Sequence, residues 1–192
     1  MAKLVLRPAS RSRSDTARLA SSFEDPVRER GSARVACVAG SQYQIRRAEP
    51  TDAEVAGQLL DDFNREFDEP TPGPAALAER IRDLVDGGDT VVLLGGAGPD
   101  GLAVLRFRLS IWSTGLECYL AELYVAPARR GQGLGRALMQ AAIGEARARG
   151  ADTMDIGVDE PDFVARHLYE SLGFSNRSGV DGPLMYVYER DL

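Results

Sequence analysis

The sequence predicts an α/β (α+β) fold: a mixed, mostly antiparallel sheet flanked by about four helices. Strand-like runs follow one another at residues 90–94, 102–109 and 116–125, a strand-helix-strand unit spans 116–158, and stretches of helical periodicity flank both. Consecutive short strands imply an antiparallel meander, and the strand-helix-strand unit implies one parallel pair inside it.

A chain of 192 residues with 44% hydrophobic and 27% charged side chains suits one folded domain, at 42–192, behind an extension. The extension, 1–41, scatters Arg7, Arg11, Arg13, Arg18, Arg28 and Arg30 among Ser and Ala without a hydrophobic period. It reads as disordered, with a targeting peptide or an arm for an anionic surface as alternatives. Net charge is -6 and pI about 4.9, which argues against a nucleic-acid surface and for cationic small-molecule partners. No apolar run approaches the roughly 18 residues that cross a bilayer. Cys37 and Cys118 are too few and too far apart for a disulfide framework or zinc knuckle, so a reducing, cytoplasmic setting is expected.

The domain opens with a short strand at 43–47. Thr51 then offers a helix cap with Glu54 completing a capping box, ahead of a face carrying Val55, Leu59 and Phe63. Pro70, Pro72, Gly73 and Pro74 force a loop before a second helix, with Leu77, Ile81, Leu84 and Val85 at helical spacing, which Gly87 and Gly88 end. The three strands of the meander are separated by turn residues at 98–101 and 113–115. A helix follows over 134–149, packed on most sides because its polar stripe is narrow. Gly150 ends it, 153–158 reads as a strand, Pro161 and Asp162 start a helix with Val164, Leu168 and Leu172 on one side, and 184–189 reads as a final strand.

The turn Arg130-Gly131-Gln132-Gly133-Leu134-Gly135 carries the clearest chemical signal. Its glycines permit positive φ and let main-chain N–H groups approach a ligand just before a helix N-terminus. Arg129, Arg130 and Arg136 surround it, so a diphosphate suits it better than a single carboxylate. A Walker loop would end in Gly-Lys-Ser or Gly-Lys-Thr, which is absent, and the dinucleotide fingerprint fails because the glycines alternate.

Leu123-Tyr124-Val125 with Pro127, the turn itself, and Leu168-Tyr169-Glu170-Ser171-Leu172-Gly173-Phe174, in that order, together resemble the GNAT N-acetyltransferases. The resemblance covers residues 43–192 and implies a GNAT-like sheet of six to seven strands with splayed central parallel strands. It implies acetyl-CoA as acyl donor and no metal. Gly131, Gln132, Gly133, Leu134 and Gly135, with Arg130 and Arg136, would hold the pyrophosphate, and the backbone of Leu123, Tyr124 and Val125 would pair with the pantetheine arm. Tyr169 would protonate the leaving thiolate, and Glu122 would accept the amine proton, with Glu117 as the alternative base. The family often carries Asn where this chain has Asp162, which either accepts from pantetheine or caps its helix. His167, the sole histidine, is read as a surface residue.

The acceptor of such enzymes usually enters against the loop between the first two helices. Here Phe67, Asp68 and Glu69, with Trp112, offer carboxylates and flat surfaces to an amphipathic cation. The expected reaction is direct attack of a primary amine on acetyl-CoA in a ternary complex, the acceptor being a small cationic amine such as an aminoglycoside or polyamine. Protein or peptide N-acetylation and a non-catalytic acyl-CoA-binding module are the alternatives, and a homodimer is expected by analogy.

Overall fold

The computed structural model describes residues 35–36, 42–188 and 190. The predicted extension, including Cys37, lies outside them except for 35–36. The described residues divide into two compact units, one ending at Val158 and the other beginning at Asp159.

In the first unit β1 (Val35–Ala36), β2 (Ile45–Arg47), β3 (Thr90–Gly95), β4 (Gly101–Leu109), β5 (Leu116–Val125) and β6 (Ala151–Ile156) form one sheet in sequence order. Every neighbouring pair is antiparallel except β5 and β6. The exception follows from connectivity: α3 (Leu134–Ala148) carries the chain back to the starting edge before β6 begins.

Helices α1 (Ala53–Glu66) and α2 (Pro74–Asp86) cover one face of the sheet, where Ala56, Leu59, Leu60, Ala78 and Ile81 pack with Val92, Leu94, Leu102, Val104 and Tyr124. The two helices approach closely at Gly57, where a Cβ would fall 2.5 Å from the Pro74 carbonyl oxygen and 2.7 Å from the Ala78 nitrogen. On the other face Leu134 and Leu138 of α3 press toward the paired glycines Gly95 and Gly101; a Cβ on Gly95 would stand 2.9 Å from Leu134 Cδ1.

The start of α1 differs from its sequence expectation. Pro50, whose fixed φ suits a first helical position, begins a 3-10 turn over Pro50–Asp52, and the Glu49 N–H donates to Asp52 Oδ2 at 2.8 Å. Thr51 therefore lies inside the turn, and Glu54 pairs with Arg82 of α2 instead of closing a box. Val55 is exposed, because the buried stripe runs through Ala53, Ala56, Leu59 and Leu60.

The second unit contains α4 (Phe163–Ser171). Over 184–188, the described part of the strand expected at 184–189, the chain makes a local turn-back instead: Leu184 bridges Arg177, the Ser178 N–H donates to the Pro183 carbonyl at 3.0 Å, and the Met185 N–H to the Asn176 carbonyl at 2.7 Å. Leu184, Tyr186 and Tyr188 are exposed and Met185 and Val187 are only half-buried, so neither face of the segment is fully buried. Among the described residues no helix is long and apolar enough to cross a membrane.

Candidate active site

The parallel pairing of β5 with β6 stops at Leu120 opposite Ile156, yet β5 continues to Val125 and stays paired with β4 as far as Gly101. The two central strands thus separate over the second half of β5. A bulge supplies the bend: Val104 faces Glu122 and Leu105 faces Leu120, leaving Ala121 as an extra residue. Beyond it, the Ala126 N–H donates to the Asp100 carbonyl at 2.8 Å, on the β4 side. Strand alternation then turns the main-chain groups of Leu123 and Val125 toward the gap and those of Tyr124 toward β4.

At the open end of the gap β5 runs directly into the glycine-rich turn. A 3-10 turn over Pro127–Arg129 leads to Arg130 in extended conformation, then to Gly131 with φ 71° and Gly133 with φ 93°, and α3 starts at Leu134. A Cβ on either glycine would meet nothing within 4 Å, so glycine is there for backbone conformation and the space before the turn is open. The first hydrogen bond into the helix runs from the Ala137 N–H to Gly133 at 3.0 Å, which leaves the N–H groups of Leu134, Gly135 and Arg136 outside the helical ladder. Gln132 braces the turn: its Nε2 donates to the Ala128 carbonyl at 2.9 Å, and its own carbonyl accepts from the Tyr43 hydroxyl at 3.2 Å.

The cationic surroundings read from sequence are partly neutralised. Arg129 pairs with Asp100 at 3.3 Å, and Arg130 forms a two-pronged pair with Glu66 at 2.5 and 2.7 Å. Arg130 holds the Glu66 carboxyl below the usual carboxylate range. Arg136 is exposed on the first turn of α3. The main-chain N–H groups, more than guanidinium charge, are what the turn offers an anion.

Glu122 lies on the α1/α2 face of the sheet beside the bulge, and burial pushes its carboxyl above the ordinary range. Among the described residues it has no hydrogen-bond or ion-pair partner, which sets it apart from Glu117, whose carboxylate accepts from Arg108 at 2.7 Å and Ser110 at 3.2 Å. A partly buried carboxyl that burial raises, with no hydrogen-bond partner among the described residues, is a candidate proton acceptor, whereas the Glu117 oxygens are already engaged by Arg108 and Ser110. Cys118 is buried, and burial pushes its thiol up to about 12, so it is no nucleophile at neutral pH.

On the α1 side, Tyr124 stacks on Phe63 with centroids 5.2 Å apart, and Phe63 meets Phe67 edge-on at 5.4 Å. The segment after α1 is fixed from within: buried Asp61 accepts from Thr71 Oγ1 at 2.7 Å and Arg65 Nε at 2.6 Å, and Asn64 Nδ2 donates to the Pro70 carbonyl at 3.0 Å. Phe67, Asp68 and Glu69 are exposed on this segment, Asp68 with φ 56°. Trp112 is not among them. It is exposed just before β5 begins at Leu116, whereas the Phe63 contact is with Tyr124 near the other end of that strand. At about 3.3 Å per residue a strand of this length separates the two by roughly 25 Å, so one small acceptor cannot bridge them.

Within the second unit, Asp162 caps α4, its Oδ1 accepting from the Ala165 N–H at 2.9 Å. Tyr169 is buried on that helix with its ring 6.2 Å from Phe174. Burial first, and then the Asp162 carboxylate, push its phenol up to about 12. His167 is exposed.

Asp61 takes part in this arrangement with no sequence signal of its own, while Phe63 reads from sequence only as part of a helix face and Glu66 only as part of an acidic segment. The Glu66–Arg130 pair spans a sequence separation of 64, and no local spacing announces it.

A splayed parallel pair with a glycine turn at its mouth defines a class of acyl-transfer fold. Residues 57–174 match the model of the acetyltransferase (GNAT) family, and the chain belongs to it. It is 37% identical over 134 residues to mycothiol acetyltransferase of Thermobispora bispora, an alignment covering 67% of this chain and 40% of that longer protein. It is 33% identical over 170 residues to streptothricin acetyltransferase of Streptomyces lavendulae, covering 76% and 87% of the two chains. Among solved structures, one from Arthrobacter sp. FB24 assigned to the acetyltransferases superposes with a TM-score of 0.72 at 48% identity, covering 77% of this chain and 95% of the other.

Proposed function

We propose that this acetyltransferase moves an acetyl group from acetyl-CoA to the primary amine of a small cationic acceptor, by direct attack in a ternary complex. The observation that carries the reading is the gap between β5 and β6, open beyond Leu120 and ending on a turn with an uncrowded face at Gly131 and Gly133. The gap suits a narrow, amide-bearing arm that pairs with the main chain of Leu123 and Val125. The N–H groups at 131–136 suit a diphosphate.

A thioester is already activated, so the chain's residues have to orient the amine and manage protons. Glu122 accepts the proton that the amine sheds as nitrogen bonds to the acyl carbon and the carbon–sulfur bond breaks. Tyr169 donates to the departing sulfur, a role that rests on the motif around it. Direct transfer fits the inert thiol of Cys118, which offers no acyl-enzyme route. Asp162 is assigned to capping α4.

Relatives named for mycothiol and streptothricin favour a small-molecule acceptor over a peptide. The exposed carboxylates of Asp68 and Glu69 beside Phe67 would draw an ammonium to the segment after α1.

Calorimetric titration with acetyl-CoA, followed by thiol release across a panel of aminoglycosides, polyamines and peptides, tests the reading. Binding is expected in the wild type and its loss in Gly133→Glu and Gly135→Glu. Undiminished binding in both variants would sink the assignment of the turn, and turnover confined to peptides would sink that of the acceptor.

A further inference from the structure

Glu66 closes α1 and Arg130 opens the glycine-rich turn. Two nitrogens of the Arg130 guanidinium meet the two Glu66 oxygens at 2.5 and 2.7 Å, its Nε donates to the Val125 carbonyl at 2.9 Å, and its Cζ stands 5.8 Å from the centre of the Tyr124 ring. Such a guanidinium is held in plane and direction, as a strut is, and is not a mobile counter-ion. One end of the strut is the last residue before the Phe67–Glu69 segment. Its other end is the point where β5 becomes the turn.

We propose that Glu66 is a positioning residue: it fixes Arg130, and through it the turn, in the conformation that receives the diphosphate of the acyl donor. The inference rests on the turn being that diphosphate site. Its rival makes Arg130 a direct phosphate ligand and Glu66 a surface carboxylate competing for it.

The two accounts predict opposite signs for one substitution. Glu66→Gln removes a negative charge beside an anion site, so by electrostatics alone coenzyme A should bind more tightly. If the pair is a strut, the same change frees the guanidinium, loosens the turn and weakens binding. Arg130→Lys separates them again: it keeps the charge but loses the fork and the bond to Val125, so the strut account predicts weakening where a charge account predicts little change.

The test is calorimetric titration of coenzyme A into wild type, Glu66→Gln, Arg130→Lys and the double variant, with steady-state kinetics and thermal melting beside it. We expect dissociation constants about tenfold higher in each single variant, and no further loss in the double, because the strut is already gone. The loss should fall on KM for acetyl-CoA and not on kcat, with melting temperatures close to wild type. Wild-type-like or tighter binding by Glu66→Gln overturns the inference and leaves the diphosphate site standing. Absence of binding by the wild type overturns both.

Discussion

Val104 of β4 faces Glu122 of β5, and the next residue of β4 faces Leu120, so the bulge at Ala121 sits directly beside Glu122, a carboxyl with no hydrogen-bond partner among the described residues. A general base works only when deprotonated. Since burial raises the Glu122 carboxyl, the acidic limb of the pH–rate profile should lie above the ordinary glutamate value of about 4.3. Glu122→Gln should lose about 10²-fold in kcat and lose that limb. Glu117→Gln, which removes a carboxylate already tied to Arg108 and Ser110, should keep it. A limb that survives in Glu122→Gln would assign the proton elsewhere.

The same burial has a thermodynamic consequence of definite sign. A carboxyl whose folded-state pKa is raised binds its proton more tightly when folded, so stability falls as pH rises from the unfolded value through the folded one. At neutral pH the wild type carries the penalty of an ionised, partly buried group; at acidic pH it does not. Glu122→Gln should therefore melt higher than wild type at pH 7–8 and nearly with it below pH 4, as melting curves across that range would reveal.

What the sequence discloses and what it hides divide by distance along the chain. The glycine turn, α3 and the strand-helix-strand unit are legible because each is written in consecutive residues. The bulge at Ala121 is not, since it depends on how β4 and β5 register, and neither is the Glu66–Arg130 pair. Side-chain chemistry groups Trp112 with Phe67, and strand length parts them. Local rules also compete: Pro50 outranks Thr51 as the start of the first turn, and the alternating residues at 184–188 bury neither face fully and form a turn-back with 176–178 in place of a strand.

Two glycine-to-alanine substitutions should move stability in opposite directions. At Gly57 a Cβ would strike main-chain atoms of Pro74 and Ala78, which cannot move unless α2 shifts, so Gly57→Ala should cost about 1–3 kcal/mol. At Gly144, within α3, the added methyl would meet nothing within 4 Å, so Gly144→Ala should gain roughly 0.5–1 kcal/mol. Denaturant unfolding of both variants decides it.

Cys118 should resist alkylation in the folded protein, because its thiol is buried and stays protonated. Peptide mapping after iodoacetamide treatment should find it modified only once the protein is unfolded. Cys118→Ala should keep kcat within a few-fold while losing about 1–2 kcal/mol of stability to the cavity. An acetylated Cys118 trapped with acetyl-CoA alone would instead require a two-step, ping-pong reaction.

For Tyr169 the raised pKa cuts both ways. Held up to about 12, the phenol keeps its proton through the whole working range, so it adds no basic limb to the rate profile below pH 10. Against a thiol of ordinary pKa near 8.5, however, full transfer of that proton is uphill by several pK units, so its contribution is a hydrogen bond that strengthens as negative charge gathers on sulfur. Tyr169→Phe should therefore lower kcat by roughly 10²-fold and leave the affinity for coenzyme A nearly intact. The deficit should shrink when the leaving thiol is more acidic, because a thiolate that departs readily needs less help. A deficit independent of leaving-group acidity would assign Tyr169 to packing beside Phe174 and not to the chemistry.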